Sequence, residues 1–368
     1  MASKRTIAGV GVAVLFLAAG CGATHMDRKR DEADQRWAVS RAEMSTRMAQ
    51  ACYERGEYGR ARQHVDEVIK TGATYAPLYI LAAKLAAEKR DLDGARTFAE
   101  SARAIQPMSP EARYVLGTIE QALGHPERAQ IEYSEAARLD PKEPRYALAK
   151  TEMMVTRGEA EAAAKYLTEA AVEMPGRAEV HTALGDVLTV LGRHREAVGS
   201  YRMAMRLEPK QEGLRTRLAT ALFHSGAFAE AEPMLAELCA SEPNFASGWA
   251  FLMRAECFLA MGRVAEARAV CGGVGDARKT SVPARVVMAK CDILENRLDS
   301  AQKHLEAALA LEPQHSEVNA MMGYVLVAAG RQDEARTHLR LALQDADCAG
   351  RDTVERLLAM AEAGAKLP

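Results

Sequence analysis

An alanine returns every 34 residues through most of this chain, and that interval limits the possible folds more than any other feature. The alanines are Ala61, Ala95, Ala129, Ala163, Ala197, Ala231, Ala267, Ala301 and Ala335, and only the step from Ala231 to Ala267 differs, at 36. Other positions keep the same register. Five residues before the alanine stand Gly56, Gly124, Gly158, Gly192, Gly226, Gly262 and Gly330, with Arg90 and Asn296 in the two remaining units. Four after it come Val65, Ala99, Tyr133, Leu167, Tyr201, Leu235, Cys271, Leu305 and Leu339. Twelve after it, proline recurs at Pro107, Pro141, Pro175, Pro209, Pro243 and Pro313. A fixed period of this size marks a stack of identical supersecondary units, each unable to bury its apolar face alone.

The register gives each unit a physical reading. A first helix, A, ends at the glycine, which adopts the left-handed conformation of a tight turn. A second helix, B, carries the small alanine where the two helices cross and a large apolar residue one turn later. The proline then stops helix B and sets the entry to the next unit. Composition agrees: aromatic residues are only 5% of the chain, so helices pack through small side chains. The net charge of −2 provides no basic field, which speaks against a nucleic-acid partner.

The pattern resembles the tetratricopeptide repeat (TPR) family. Its clearest units read Tyr114-Val115-Leu116-Gly117, Gly124, Ala129, Tyr133, Ala136, Pro141, and Leu184-Gly185, Gly192, Ala197, Tyr201, Ala204, Pro209. The resemblance implies an all-α fold, a right-handed superhelix (α-solenoid) of about nine 34-residue helix-turn-helix repeats over residues 42–347. Residues 348–368 are expected to hold a capping helix and tail. In that helix Val354, Leu357, Leu358 and Ala361 share one face.

Residues 1–20 read as a leader. Lys4 and Arg5 precede an uncharged apolar run from Ile7 to Ala19, shorter than the ~20 residues a membrane span needs. The ending Leu17-Ala18-Ala19-Gly20-Cys21 resembles the bacterial lipobox, although Ala18 stands where that motif prefers leucine. The resemblance implies that Cys21 is lipidated and becomes the mature N-terminus. An uncleaved anchor and a plain signal peptide remain the alternatives. Residues 21–41 then form a polar tether. Gly22 after the cysteine is similar to lipoproteins carried to the outer membrane, facing the periplasm.

No H-E-x-x-H, G-x-S-x-G, C-x-x-C or phosphate-binding loop occurs, and the nine histidines are scattered, so no catalytic, metal or cofactor site is expected. Carboxylates are read as solvated faces of the solenoid. Cys52, Cys239, Cys257, Cys271, Cys291 and Cys348 are read as structural, with a disulfide or metal role as the alternative. The glycine-rich stretch 272–282 breaks the register of the seventh unit, as a tolerated insertion or as a contact loop.

TPR resemblance further implies binding of a peptide or helix along a concave groove lined by the A helices. In the first five units that wall is polar, with Gln50, Tyr53, Glu54, Lys84, Glu88, Thr118, Gln121, Glu152, Thr156 and Asp186. Later units offer Phe223, Trp249, Leu252, Leu259, Val286, Ile293, Tyr324 and Val327. Of these, Phe223, Trp249, Leu252, Leu259, Ile293 and Tyr324 are the partner-binding candidates. Exposed, they form an interaction stripe; buried between A helices, they are packing. The expected function is that of a non-enzymatic envelope scaffold resembling outer-membrane TPR lipoproteins, serving pilus, secretion or cell-envelope assembly. The alternative is an adaptor that delivers substrates to an envelope peptidase or cell-wall hydrolase. Protein partners in the groove and a membrane contact through the N-terminal lipid are implied, with no small-molecule substrate.

Overall fold

The computed structural model describes residues 29, 30, 32, 36–211, 213–241, 248–273, 281–346, 348 and 350–365. Among these there are nineteen helices and no strand. Residues 36–54 form α1. It is followed by α2 (Tyr58–Ile69), α3 (Ala76–Glu88), α4 (Leu92–Ile105), α5 (Pro110–Ala122), α6 (Pro126–Leu139), α7 (Pro144–Thr156) and α8 (Ala160–Glu173). The chain continues with α9 (Ala178–Val190), α10 (His194–Leu207), α11 (Leu214–His224), α12 (Phe228–Ser241), α13 (Trp249–Ala260) and α14 (Val264–Gly273). Last come α15 (Val282–Leu294), α16 (Leu298–Leu309), α17 (Ser316–Ala328), α18 (Gln332–Leu343) and α19 (Arg351–Glu362). Odd-numbered helices from α1 to α17 are A helices and the even ones are B helices, so the fold is an α-solenoid of stacked pairs. The leader and Cys21 lie outside the described residues, as does 274–280, where most of the glycine-rich connection falls.

The A–B turn shows why the sequence repeats as it does. In all nine turns the N–H four residues before the alanine donates to the carbonyl nine before it, for example His125 to Glu120 at 2.9 Å and Arg297 to Asp292 at 2.7 Å. That bond closes only when the residue between them turns left-handed. Gly124 (φ 78°) and its equivalents do so freely, and Arg90 (φ 61°) and Asn296 (φ 55°) do so with a side chain. Each of the nine register alanines is 0% exposed, and every side chain four residues later is buried. A small residue at the crossing lets the helices approach, and the large one fills the space beyond it.

The chain divides into two compact units, up to Val180 and from His181. In the first, α3 packs on both α4 and α5. One cluster there gathers Val65, Leu78, Leu81 and Leu85, and a second gathers Ile80, Ala95, Leu116 and Ile119. The Tyr114 ring stands 5.7 Å from Tyr133 and 5.4 Å from Tyr146, each pair tilted. In the second unit the last core cluster joins α15 to α19, and α19 contributes Val354, Leu357 and Ala361. That helix packs against α17 and α18 and covers the apolar end of the stack.

Three carboxylates depart from the expectation of solvated faces. Glu120, Glu132 and Asp292 are buried, and each is paired with arginine. Glu120 meets Arg96 at 2.9 Å and His125 at 2.8 Å; Glu132 meets Arg103 at 2.5 Å and Arg113 at 3.0 Å. Asp292 takes Arg268 at 2.7 Å, Arg297 at 3.1 Å and the Ser300 hydroxyl at 2.6 Å. Glu120 and Asp292 occupy the same repeat position, and Arg96 and Arg268 stand one residue after the preceding repeat's alanine. Charge thus replaces apolar packing at two equivalent joints, where a buried carboxylate is tolerable only because it is paired.

Candidate interaction surface

In the first unit the A-helix wall is tied together along its length by polar contacts. The Tyr53 hydroxyl donates to Glu88 at 3.1 Å, linking α1 to α3. Lys84 of α3 reaches Glu111 of α5 at 2.7 Å, and Glu111 also accepts from Tyr146 of α7 at 3.2 Å. Gln121 of α5 donates to Glu152 of α7 at 3.1 Å and itself accepts from Tyr133 at 2.7 Å. Burial alone would raise the Glu111 carboxyl, but Lys84, Arg145 and Tyr146 hold it below the ordinary carboxylate range. Burial and the Glu88 carboxylate push the Tyr53 hydroxyl up. Tyr53 with Glu88, Lys84 with Glu111, and Gln121 with Glu152 thus each bridge neighbouring A helices, whereas Gln50 bonds within its own helix to Glu54 at 2.9 Å. Thr118 and Thr156 are turned to carbonyls of their own helices.

In the second unit Asp186 opens the wall, accepting from Tyr201 at 2.8 Å and pairing with Arg217 at 2.9 Å. Phe223, Leu259 and Ile293 hold one register position on successive A helices, eight residues before the alanine. All six candidate side chains, Phe223, Trp249, Leu252, Leu259, Ile293 and Tyr324, are half-buried. The Phe223 ring meets Phe228 edge-on at 5.7 Å and His224 at 5.2 Å. His224 in turn stacks on His194 at 5.0 Å; burial and that second ring hold its pKa below the usual histidine value. Leu252 and Leu259 flank the cluster around Phe258, Cys271 and Cys291, while Ile293 and Tyr324 flank the next one. Trp249 is the first residue of α13, after the left-handed Gly248. Val286 and Val327, also read as lining residues, are buried in the core.

A charged ladder crosses this apolar wall and was missed by the sequence reading. Lys290 of α15 lies 3.5 Å from Glu256 of α13 and 2.8 Å from Glu317 of α17. Burial alone would lower the Lys290 pKa, but Glu317 and Glu256 raise it. The signal was in the register: Lys290 and Glu317 repeat the 27-residue spacing of Lys84 and Glu111. Among the described residues no group of three His, Cys, Asp or Glu side chains could hold a metal, and no helix is long and apolar enough to cross a membrane. All six cysteines after Cys21 are buried, and burial pushes Cys257 and Cys271 up to about 12.

Comparison with known proteins agrees with this architecture. Two tetratricopeptide repeat models match, one over residues 86–153 and 292–351 and the other over 46–67 and 248–272. With the nine helix pairs and their shared turn, the chain is a tetratricopeptide repeat protein. A model described as a bacterial transcriptional activator domain matches residues 176–241, where Ala197 and Ala231 keep the same register. No curated protein matches the chain by sequence. Similar solved structures include a tetratricopeptide repeat protein from Parabacteroides merdae, at 17% identity and TM-score 0.44, with 78% of this chain and 98% of that one covered. PilW, a type IV pilus biogenesis factor, aligns at 17% identity and TM-score 0.49 over 56% of this chain and 95% of that one. Pseudomonas aeruginosa PilF aligns at 19% and 0.45, over 58% and 97%.

Proposed function

We propose that the chain is a non-enzymatic scaffold, held to the bacterial envelope through Cys21, that grips protein partners along its A-helix face. The observation that carries the reading is the wall of the second unit. There the half-buried column Phe223, Leu259 and Ile293 runs beside the charges of Glu256, Lys290 and Glu317. An apolar strip edged by alternating charge suits an amphipathic helix or an extended peptide, which uses apolar anchors for affinity and charge for register. The leader and lipobox-like end support the envelope assignment and Gly22 the outer membrane, and the resemblance to outer-membrane TPR lipoproteins supports a role in pilus, secretion or cell-envelope assembly. The test is crosslinking of the protein in its native cells with mass spectrometry of what is captured, alongside the variant Phe223→Ser with Trp249→Ser. An envelope-assembly partner captured by the wild type and lost in a still-helical variant supports the reading. The same partners captured by both proteins would move the site off this wall.

A further inference from the structure

The first repeat leaves one face open, and its chemistry is unlike that of the other end of the stack. On α1, Trp37, Met44 and Met48 are 71%, 64% and 52% exposed, and at about 100° per residue they form a single stripe. Met44 and Met48 stand 17 and 13 residues before Ala61. At the same two positions in later repeats, Leu78, Leu214 and Val318, then Leu116, Leu218 and Met322, are buried. These are stacking positions, and among the described residues no second helix covers them in α1. At the C-terminal end the corresponding role is filled by α19.

The stripe is also basic. Arg41 falls within it, and Arg47 borders it on the side of Glu43 and Glu54 and pairs with Glu43 at 2.6 Å; both arginines are exposed. A second copy of the chain placed face to face would bring two net-positive stripes together, which opposes pairing. An anionic lipid surface has the complementary chemistry: phosphates for the arginines and an interfacial layer that favours tryptophan. The position fits as well. Cys21 precedes Trp37 by only sixteen residues, so a lipid at Cys21 keeps α1 within one short tether of the bilayer.

We propose that this open face lies on an anionic lipid surface, with Trp37, Met44 and Met48 among the headgroups and Arg41 and Arg47 against their phosphates. The proposal rests on the lipid-anchor reading, and it makes the first repeat a second membrane contact that orients the solenoid. Insertion of Trp and Met with flanking arginines adds apolar and electrostatic binding to a single anchor.

The test couples Cys21 of the chain from residue 21 to maleimide-bearing vesicles of phosphatidylethanolamine and phosphatidylglycerol. The other six thiols are buried, so coupling is selective. Brominated lipid is expected to quench part of the tryptophan emission, and Trp37→Phe is expected to remove that part. Uncoupled protein is expected to bind the same vesicles, about tenfold more weakly or less once Arg41→Glu and Arg47→Glu are introduced. Unquenched Trp37 on the coupled protein overturns the proposal. So does lipid-independent dimerisation abolished by Met44→Glu with Met48→Glu, which would assign the face to a second copy. Incorporation of labelled palmitate at Cys21 in cells is read separately. A chain that is not lipidated, yet lies on vesicles when coupled, loses only the anchor reading.

Discussion

The Tyr201 ring lies against Gly185 so closely that a Cβ on the glycine would stand 2.5 Å from the ring's Cε1 and 2.6 Å from Cδ1. The same relationship joins Gly117 to Tyr133, at 2.6 and 2.7 Å, and Gly323 to Leu339. In each repeat the glycine lies twelve residues before the register alanine and its partner four after it. The A helix there approaches the B helix through bare backbone, and the ring fills the gap. The Tyr201 hydroxyl then reaches Asp186 on the A-helix wall, so the packing of the repeat fixes a residue of the candidate surface.

Gly185→Ala is therefore expected to destabilise the protein by about 1–3 kcal/mol, the usual cost of overpacking a filled core. The ring must shift to admit the methyl, and the bond to Asp186 shifts with it. Gly199→Ala is the control: it also lies inside a helix, but its Cβ would meet nothing within 4 Å. It is expected to stabilise by about 0.5–1 kcal/mol, because alanine is the better helix former. Chemical denaturation of the two variants beside the wild type distinguishes them by sign.

The two turns without glycine supply the next prediction. Arg90 and Asn296 hold left-handed backbone at φ 61° and 55°. A side chain there costs roughly 1–2 kcal/mol, less for asparagine, whose short amide tolerates the region. Glycine removes the strain but loosens the unfolded chain, which takes back about 0.4–1 kcal/mol. Arg90→Gly is expected to raise stability by several tenths of a kcal/mol, and Asn296→Gly by less. A fall in melting temperature for Arg90→Gly would show that the turn is not strained.

These turns also mark how far the sequence could be read. Ala61 and its eight equivalents, Gly124 and its equivalents, and the apolar residue at Tyr201 were legible because backbone geometry demands them wherever the unit repeats. Arg90 and Asn296 were visible as exceptions, though the conformation they would adopt was not. Burial was harder to read. Val286 and Val327 read as wall residues yet are core, because exposure on an A helix depends on how the next repeat seats against it. Glu120 and Asp292 read as solvated for a related reason: a carboxylate is buried only when a cation meets it, and one arginine of each, Arg96 and Arg268, lies in the preceding repeat. Pairing the residue after each alanine with the one nine before the next would have found both, since it sets Arg96 with Glu120 and Arg268 with Asp292.

That pairing yields the last prediction. Other repeats place Leu188, Leu222 and Leu326 where Asp292 stands, and Ala164 and Val198 among the residues where Arg268 stands. Asp292→Leu alone removes the buried carboxylate and leaves Arg268 and Arg297 beside an apolar side chain, with Glu295 as their remaining shared partner. Since both arginines are partly exposed, the expected cost is about 1–3 kcal/mol, below that of stranding a fully buried charge. Asp292→Leu with Arg268→Val is expected to recover most of this loss, because apolar packing then replaces the pair as in the sister repeats. Acid supplies a second check. Burial alone would raise the Asp292 pKa, but Ser300 and Arg268 hold it below the ordinary aspartate value. A depressed carboxylate stabilises the fold above its unfolded pKa of about 3.9 and loses that contribution as pH falls through its folded value. The gap between wild type and Asp292→Leu, measured by urea unfolding, should thus be full at neutral pH and shrink below about pH 4. A gap that widened in acid would mean that Asp292 is held neutral in the native protein.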